Sequence, residues 1–288
     1  MLSRIDRVQM AVPDRHAAAE GWQALLGAEP AGEDRVDALA AQRMRLRLGD
    51  GFVELLEPDG AGPVADAVAG RGGHLFAAGA TSPDVDALAA RLRERGAEPR
   101  AEGGQLHLDP GATGVPGLRV VVSPEESRPS VGAIDTFYEV TGLVGDAKAA
   151  VGRCAERFGL DPDAFVPIAS KPYGYEGSLT LFDPDRLDRF ELITPHVPEN
   201  TMGRFFRRFG ETLYMAFAES GELGAGEERA RARGVGFTAE PRAERRAGRP
   251  ADTIFLHPPA LGGMMLGLSR RTWAWRWSGH PERVEEPA

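Results

Sequence analysis

Phe52-Val53-Glu54-Leu55-Leu56-Glu57-Pro58 and Phe190-Glu191-Leu192-Ile193-Thr194-Pro195 are the same sentence written twice. Each is an apolar strand with one carboxylate in its middle and a proline at its end. A carboxylate turned into a strand core is costly unless a cation, a metal or a ligand meets it. The doubled stretch therefore sets the architecture and marks two candidate sites, one at Glu54 and one at Glu191. A short linker and a further strand follow each copy.

Working outward, four helices are predicted, each stopped by a glycine suited to the left-handed residue after a helix. They run from about Asp14 to Gly27, from Ser82-Pro83-Asp84 to Gly96, from Asp146 to Gly159 and from Glu222 to Gly234. One strand precedes each helix and about three follow it. The unit strand–helix–three strands thus occurs four times, and a repeat of this kind outranks any single-element reading. The expected fold is α+β: four βαβββ units forming two tandem modules with curved mixed sheets and helices outside. The expected boundaries are 1–123 for the first module, 124–132 for a Pro/Ser/Glu-rich linker, 133–270 for the second module and 271–288 for a Trp-rich tail. If extended, that tail puts Trp273, Trp275 and Trp277 on one side, packed on the last unit or a partner.

Composition narrows the function. The chain has 288 residues, 42% of them hydrophobic, and a net charge of −9. That charge argues against general nucleic-acid binding. No apolar run approaches membrane-spanning length. The first residues enter a strand pattern directly, and Cys154 is the single cysteine, so a cytoplasmic location is expected, with no disulfide and no thiolate metal site. Arg204, Arg207 and Arg208 read as a solvated surface or as a contact for an anionic ligand. His107 and His257, each close to a proline, read as matching turn residues.

Ile5-Asp6-Arg7-Val8-Gln9-Met10-Ala11-Val12-Pro13-Asp14, Leu25-Leu26-Gly27, Glu54-Leu55-Leu56-Glu57-Pro58 with Gly73-His74, and Ile254-Phe255-Leu256-His257-Pro258 with Gly262-Gly263 together resemble the vicinal oxygen chelate superfamily. The resemblance is nearest to its glyoxalase I and methylmalonyl-CoA epimerase branch, a family of glyoxalase, bleomycin-resistance and dioxygenase proteins. It implies sheet-lined cups that take small organic molecules, with two histidines, a carboxylate or Gln, and a glutamate holding a divalent metal. Carried over position by position, Arg7 stands for the first histidine, Glu54 and His74 survive, and the closing glutamate falls on Val121. In the second module the positions fall on Thr136, Glu191, Tyr214 (or Leu213) and Gly267.

No cofactor follows from the residues alone; the resemblance implies a divalent metal, Zn, Ni, Co, Fe or Mn, with Glu54 and His74 as remaining ligands. Without three protein ligands, carboxylate acid–base chemistry is the expected mode. Glu191, Tyr214 and Glu54 are the candidate catalytic residues; Arg7, Thr136, Tyr173 and Tyr175 are the candidate substrate contacts. Arg7 is expected to take Glu54 in a bidentate pair with His74 alongside, and Tyr214 to donate to Glu191. The reading is a lyase or isomerase (an epimerase, for example) acting on a small molecule as a monomer or homodimer. Its alternatives are a non-catalytic binder of antibiotic type and a metal-dependent enzyme using Glu54 and His74.

Overall fold

The structure is a computed structural model and describes residues 1–241 and 250–286. The last two residues of the expected tail lie outside the described residues. In the first half of the sequence the elements are β1 (Arg4–Ala11), α1 (Arg15–Leu26), β2 (Glu29–Val36), β3 (Ala41–Leu48), β4 (Gly51–Pro58), α2 (Pro63–Arg71), β5 (His74–Ser82), α3 (Val85–Glu94), β6 (Arg100–Glu102), β7 (Gln105–Leu108), α4 (Pro110–Thr113) and β8 (Val120–Pro124). The second half holds β9 (Thr136–Leu143), α5 (Ala147–Phe158), β10 (Val166–Ser170), β11 (Tyr175–Leu181), β12 (Arg189–Pro195), α6 (Thr201–Phe209), β13 (Thr212–Glu219), α7 (Leu223–Ala232), β14 (Phe237–Glu240), β15 (Thr253–Leu256) and β16 (Met265–Ser269).

Each half forms one mixed, curled eight-stranded sheet. The orders are β2-β3-β4-β1-β5-β8-β7-β6 and β10-β11-β12-β9-β13-β16-β15-β14. The four βαβββ units are present as expected. By compactness the chain divides into one unit of Met1–Ile5, Ala77–Glu126 and Glu139–Tyr214, and another of Asp6–Phe76, Ser127–Tyr138 and Met215–Ala288.

Local chemistry accounts for the helices. Asp14, Asp84 and Asp146 each accept a backbone N–H of the first turn of α1, α3 and α5, which satisfies donors that a helix start leaves open. Gly27 and Gly159 close α1 and α5 at φ 69° and 65°. The inward faces are apolar: Trp22, Leu25 and Leu26 on α1, and Ala150, Cys154 and Phe158 on α5, are all buried.

Two expectations change here. The stretches after each Glu-strand are helices, α2 and α6, rather than plain linkers. Pro63 opens α2, where its missing N–H costs nothing, and the Asn200 side chain caps α6 through Gly203 N. The tail is a 3-10 turn over Trp273–Trp277, not an extended strand. Trp275 is buried, while Trp273 lies between the guanidiniums of Arg270 and Arg276 at 4.3 and 4.8 Å. That arrangement gives the tail tryptophans a packing role.

Candidate functional site

The two Glu-strands place their carboxylates in the same frame. β1 and β4 run parallel with Gln9 opposite Glu54 and Arg7 opposite Phe52. β9 and β12 run parallel with Thr141 opposite Glu191 and Glu139 opposite Arg189. Side chains repeat every second residue along a strand, so each set of four shares one face of its sheet.

Around Glu54 the charges cancel. Arg7 Nη1 donates to Glu54 Oε1 at 2.8 Å, and Gln9 Nε2 donates to Oε2 at 2.7 Å. Arg43 Nη1 reaches the same Oε2 at 3.5 Å and holds Asp34 through two bonds of 2.8 and 2.6 Å. The bidentate grip of Arg7 falls on Asp6, at 2.9 and 2.7 Å, not on Glu54 as expected. Asp6 is the immediate neighbour in sequence, and its carboxylate lies in line with the Nε–Nη2 edge. Arg128 lies 3.5 Å from Asp6 and, with Arg7, over the Phe52 ring. Arg7 is 4% exposed and Glu54 0%. Burial alone works against the Arg7 charge, but Asp6 and Glu54 outweigh it and hold the guanidinium firmly ionised. Guanidiniums of Arg7, Arg43 and Arg128 meet the carboxylates of Asp6, Asp34 and Glu54, and Arg45 lies 4.0 Å from Asp34. His74 is buried and sets Nδ1 2.8 Å from the carbonyl oxygen of Gly72.

Around Glu191 they do not cancel. Arg189 is buried and pairs with Glu139, Nε and Nη2 lying 2.8 and 2.7 Å from Oε2. Its Nη1 donates to the carbonyl of Leu187 at 3.0 Å. The Thr141 hydroxyl donates to Glu191 Oε2 at 2.6 Å. Within this group one guanidinium serves two buried carboxylates. Burial first, and the charge of Glu139 second, push Glu191 up to about 8, with Thr141 and Arg189 opposing. Glu139 is also raised by burial, with Arg189 pulling against it. Two such groups exchange protons as one system, and burial raises both while the guanidinium of Arg189 lies on Glu139.

Tyrosines frame this pair. Tyr175 is held protonated by burial and then by the charges of Glu191 and Glu139. Tyr214 packs edge-on against Phe205 of α6, centroids 4.9 Å apart, and Phe205 meets Phe209 at 4.9 Å. Tyr214 is therefore not the hydroxyl partner of Glu191; Thr141 is. Tyr173 is exposed on the loop before β11. Thr136 turns its hydroxyl to the carbonyl of Phe137 at 3.0 Å. Its expected place, equivalent to Arg7, belongs to Glu139: the register sets both Arg7 and Glu139 two residues before the partner of the strand glutamate. Glu139 and Arg189 were not among the expected site residues.

The late strands shift in the same way. His107 and Gly79 both face Val121, while Phe255 and Phe217 both face Gly267. Phe255 is thus the counterpart of His107. His257 instead follows β15 and sets Nε2 3.1 Å from the Thr238 hydroxyl. By the same register Thr212 matches His74, and Tyr214 matches Phe76.

Residues 6–111 match the model of the Glyoxalase/Bleomycin resistance protein/Dioxygenase superfamily. Among solved structures, a substituted 4-hydroxymandelate synthase from Streptomyces coelicolor aligns over 98% of this chain and 99% of its own, with TM-score 0.73 and 16% identity. Residues 6–111 thus resemble this superfamily, the vicinal oxygen chelate proteins, in sequence, and the chain shares its fold with the synthase over nearly its whole length. A xylose isomerase-like TIM barrel/4-hydroxyphenylpyruvate dioxygenase fusion protein aligns over 94% of this chain and 49% of its own, with TM-score 0.62 and 11% identity. Methylmalonyl-CoA epimerase from Streptomyces coelicolor aligns over 43% of this chain and 100% of its own, with TM-score 0.38 and 25% identity. No curated protein matches the sequence. At these identities the likeness to solved structures carries the fold alone.

Vicinal oxygen chelate proteins are typically metal-dependent, so the donor set was tested for fit. Glu54 already accepts from Arg7, Gln9 and Arg43. A cation beside it would have to displace a buried guanidinium. Among the described residues, no group of three or more His, Cys, Asp or Glu side chains is placed to hold a metal ion. The residues present do not fit the family's metal, and no step below is routed through one. Among the described residues, no helix is long and apolar enough to cross a membrane.

Proposed function

We propose that the chain is a small-molecule enzyme of lyase or isomerase type, working by acid–base catalysis on the Glu139–Glu191 pair. One observation carries the reading: two buried carboxylates lie beside one arginine, which is bonded to Glu139, so burial favours a proton on the pair. Glu191 takes a proton from a carbon acid as the carboxylate and returns it as the acid. A group poised near the working pH is suited to both directions. Thr141 orients the accepting oxygen, Arg189 keeps the negative charge on Glu139, and Tyr175 supplies a hydroxyl that stays protonated. Glu54 is assigned no chemistry because its oxygens are already bonded to Arg7 and Gln9. The enzyme acts in the cytoplasm, as a monomer or homodimer.

The test is proton exchange. A panel of 2-oxo acids and acyl thioesters is incubated with the protein in D2O, and loss of the C–H signal is followed by proton NMR. The wild-type protein is expected to exchange at least one compound, the rate rising with pH through an apparent pKa near 8. Glu191→Gln is expected to lower that rate by about a hundredfold or more. Exchange unchanged in Glu191→Gln sinks the reading. So does a wild-type protein that binds members of the panel without exchanging any, and that result favours a non-catalytic binder.

A further inference from the structure

Among the large hydrophobic side chains that the described residues expose, Tyr173 is the most open, at 52%. Its loop is built rather than loose. Gly174 N donates to Ser170 O at 2.7 Å, His196 N donates to Gly174 O at 2.9 Å, and Asn200 Nδ2 donates to Tyr173 O. Gly174 sits at φ 65°, and a Cβ there would run into Val197. The same segment starts α6, where Gly203 lets the helix lie against the carbonyl of Val197; a Cβ would stand 2.0 Å from that oxygen. One clamp thus holds both the tyrosine loop and the helix.

Helix α6 presents rings and guanidiniums together. Residues three and four apart share a helix face, which groups Phe205, Arg208 and Phe209. Phe205 and Phe209 are half-buried, and Arg208 is exposed with its guanidinium 4.9 Å from the Phe209 ring centroid. Arg204, Arg207 and Lys171 add exposed positive charge on a chain whose net charge is −9. The matching helix α2, Pro63–Arg71, carries no aromatic residue. Of the two matching helices, the aromatic, cationic one lies in the half that holds the Glu139–Glu191 pair.

From the Phe205–Phe209–Tyr214 ring cluster, the exposed Tyr173 and the guanidinium of Arg208, we infer that α6 and the tyrosine loop bind the flat, negatively charged end of the ligand, a planar ring system bearing an anionic group. The inference rests on the proposed acid–base site for where the rest of the ligand goes. Rings stack on Tyr173 and Phe205, and the anion meets Arg208, whose place over Phe209 keeps its stem ordered. An aromatic cation is disfavoured by the arginines, and a saturated anion loses the stacking.

Three probes separate these terms by titration calorimetry: naphthalenesulfonate, naphthylmethylammonium and cyclohexanesulfonate. Naphthalenesulfonate is expected to bind, with the other two about tenfold weaker or worse. Phe205→Ala and Arg208→Gln are each expected to weaken it by about five- to tenfold. Arg208 is exposed, so its variant folds whatever Phe205→Ala does. Glu191→Gln is expected to keep its affinity within about twofold, so loss of exchange in that variant and loss of sulfonate binding report on different claims. Equal or tighter binding of the ammonium or of the cyclohexane probe overturns the inference. So does no binding of any probe, or unchanged affinity in Arg208→Gln.

Discussion

Glu191→Gln isolates the stored proton and makes it measurable as stability. In the folded chain Glu191 is pushed from an ordinary 4.5 to about 8, by burial and then by Glu139. The native carboxyl keeps a proton that the unfolded chain has released. Stability therefore falls as pH rises through that window and levels off above it. Each pH unit inside the window costs about 1.4 kcal/mol. Glutamine has no proton to lose, is nearly the same shape as the neutral acid, and still accepts from Thr141. The stability of the variant relative to wild type is expected to climb at that slope between the ordinary carboxylate range and about pH 8, then flatten. Urea unfolding of both proteins at fixed ionic strength, from about pH 5 to about pH 9, measures the difference, and groups not coupled to Glu191 cancel. Carboxyl carbon NMR of the wild type is expected to show a glutamate titrating near 8. Parallel stability curves, or a wild type that gains on the variant as pH rises, refute the one-cation argument.

Two further outcomes bear on the first half. Arg7→Met leaves Glu54 and Asp6 buried with less positive charge and is expected to cost about 3–5 kcal/mol in urea unfolding, part of it recovered in the double variant with Glu54→Gln; a loss below about 1 kcal/mol would show that Arg7 does not neutralise this group. Protein purified without chelator is expected to carry far less than one metal per chain by elemental analysis, with a melting temperature unmoved by EDTA; a stoichiometric metal lost on Glu54→Ala or His74→Ala would restore the metal reading.

The fold was legible because it rests on features that repeat. The Glu54 and Glu191 strands, the aspartate caps and the glycine stops recur at matching places, and each is a local requirement of the backbone. Glu139 escaped because Phe137 and Tyr138, both apolar and adjacent, blur the alternation of β9 and let the strand be matched to β1 at Thr136. A usable signal was present in the caps. Asp14 and Asp146 start α1 and α5, and counting back equally from each pairs Arg7 with Glu139. Helix α6 was legible in the same way, through Asn200 as cap and Phe205 and Phe209 one turn apart. What no local pattern contains is contact across strands. The bond from Gln9 to Glu54, the bond from Thr141 to Glu191 and the seat of Tyr214 on Phe205 depend on where the sheet brings distant residues.

The two halves give one experiment on charge in one frame. On β1 the position is arginine with Phe52 opposite; on β9 it is glutamate with Arg189 opposite. In the first arrangement the guanidinium lies between two carboxylates, Asp6 and Glu54, and Arg43 and Arg128 complete the balance. Each carboxylate of that group is met by a guanidinium. In the second, the arginine has moved across to β12 and its former place holds another carboxylate. The cation is then committed to Glu139, and Glu191 is neutral only with a proton. A buried group cannot carry that excess charge cheaply, which favours a proton on the pair. Differences at two facing register positions, Arg7 against Glu139 and Phe52 against Arg189, thus separate a strand pair whose glutamate is met directly by guanidiniums from one with the charge arrangement that the proposed acid–base work needs.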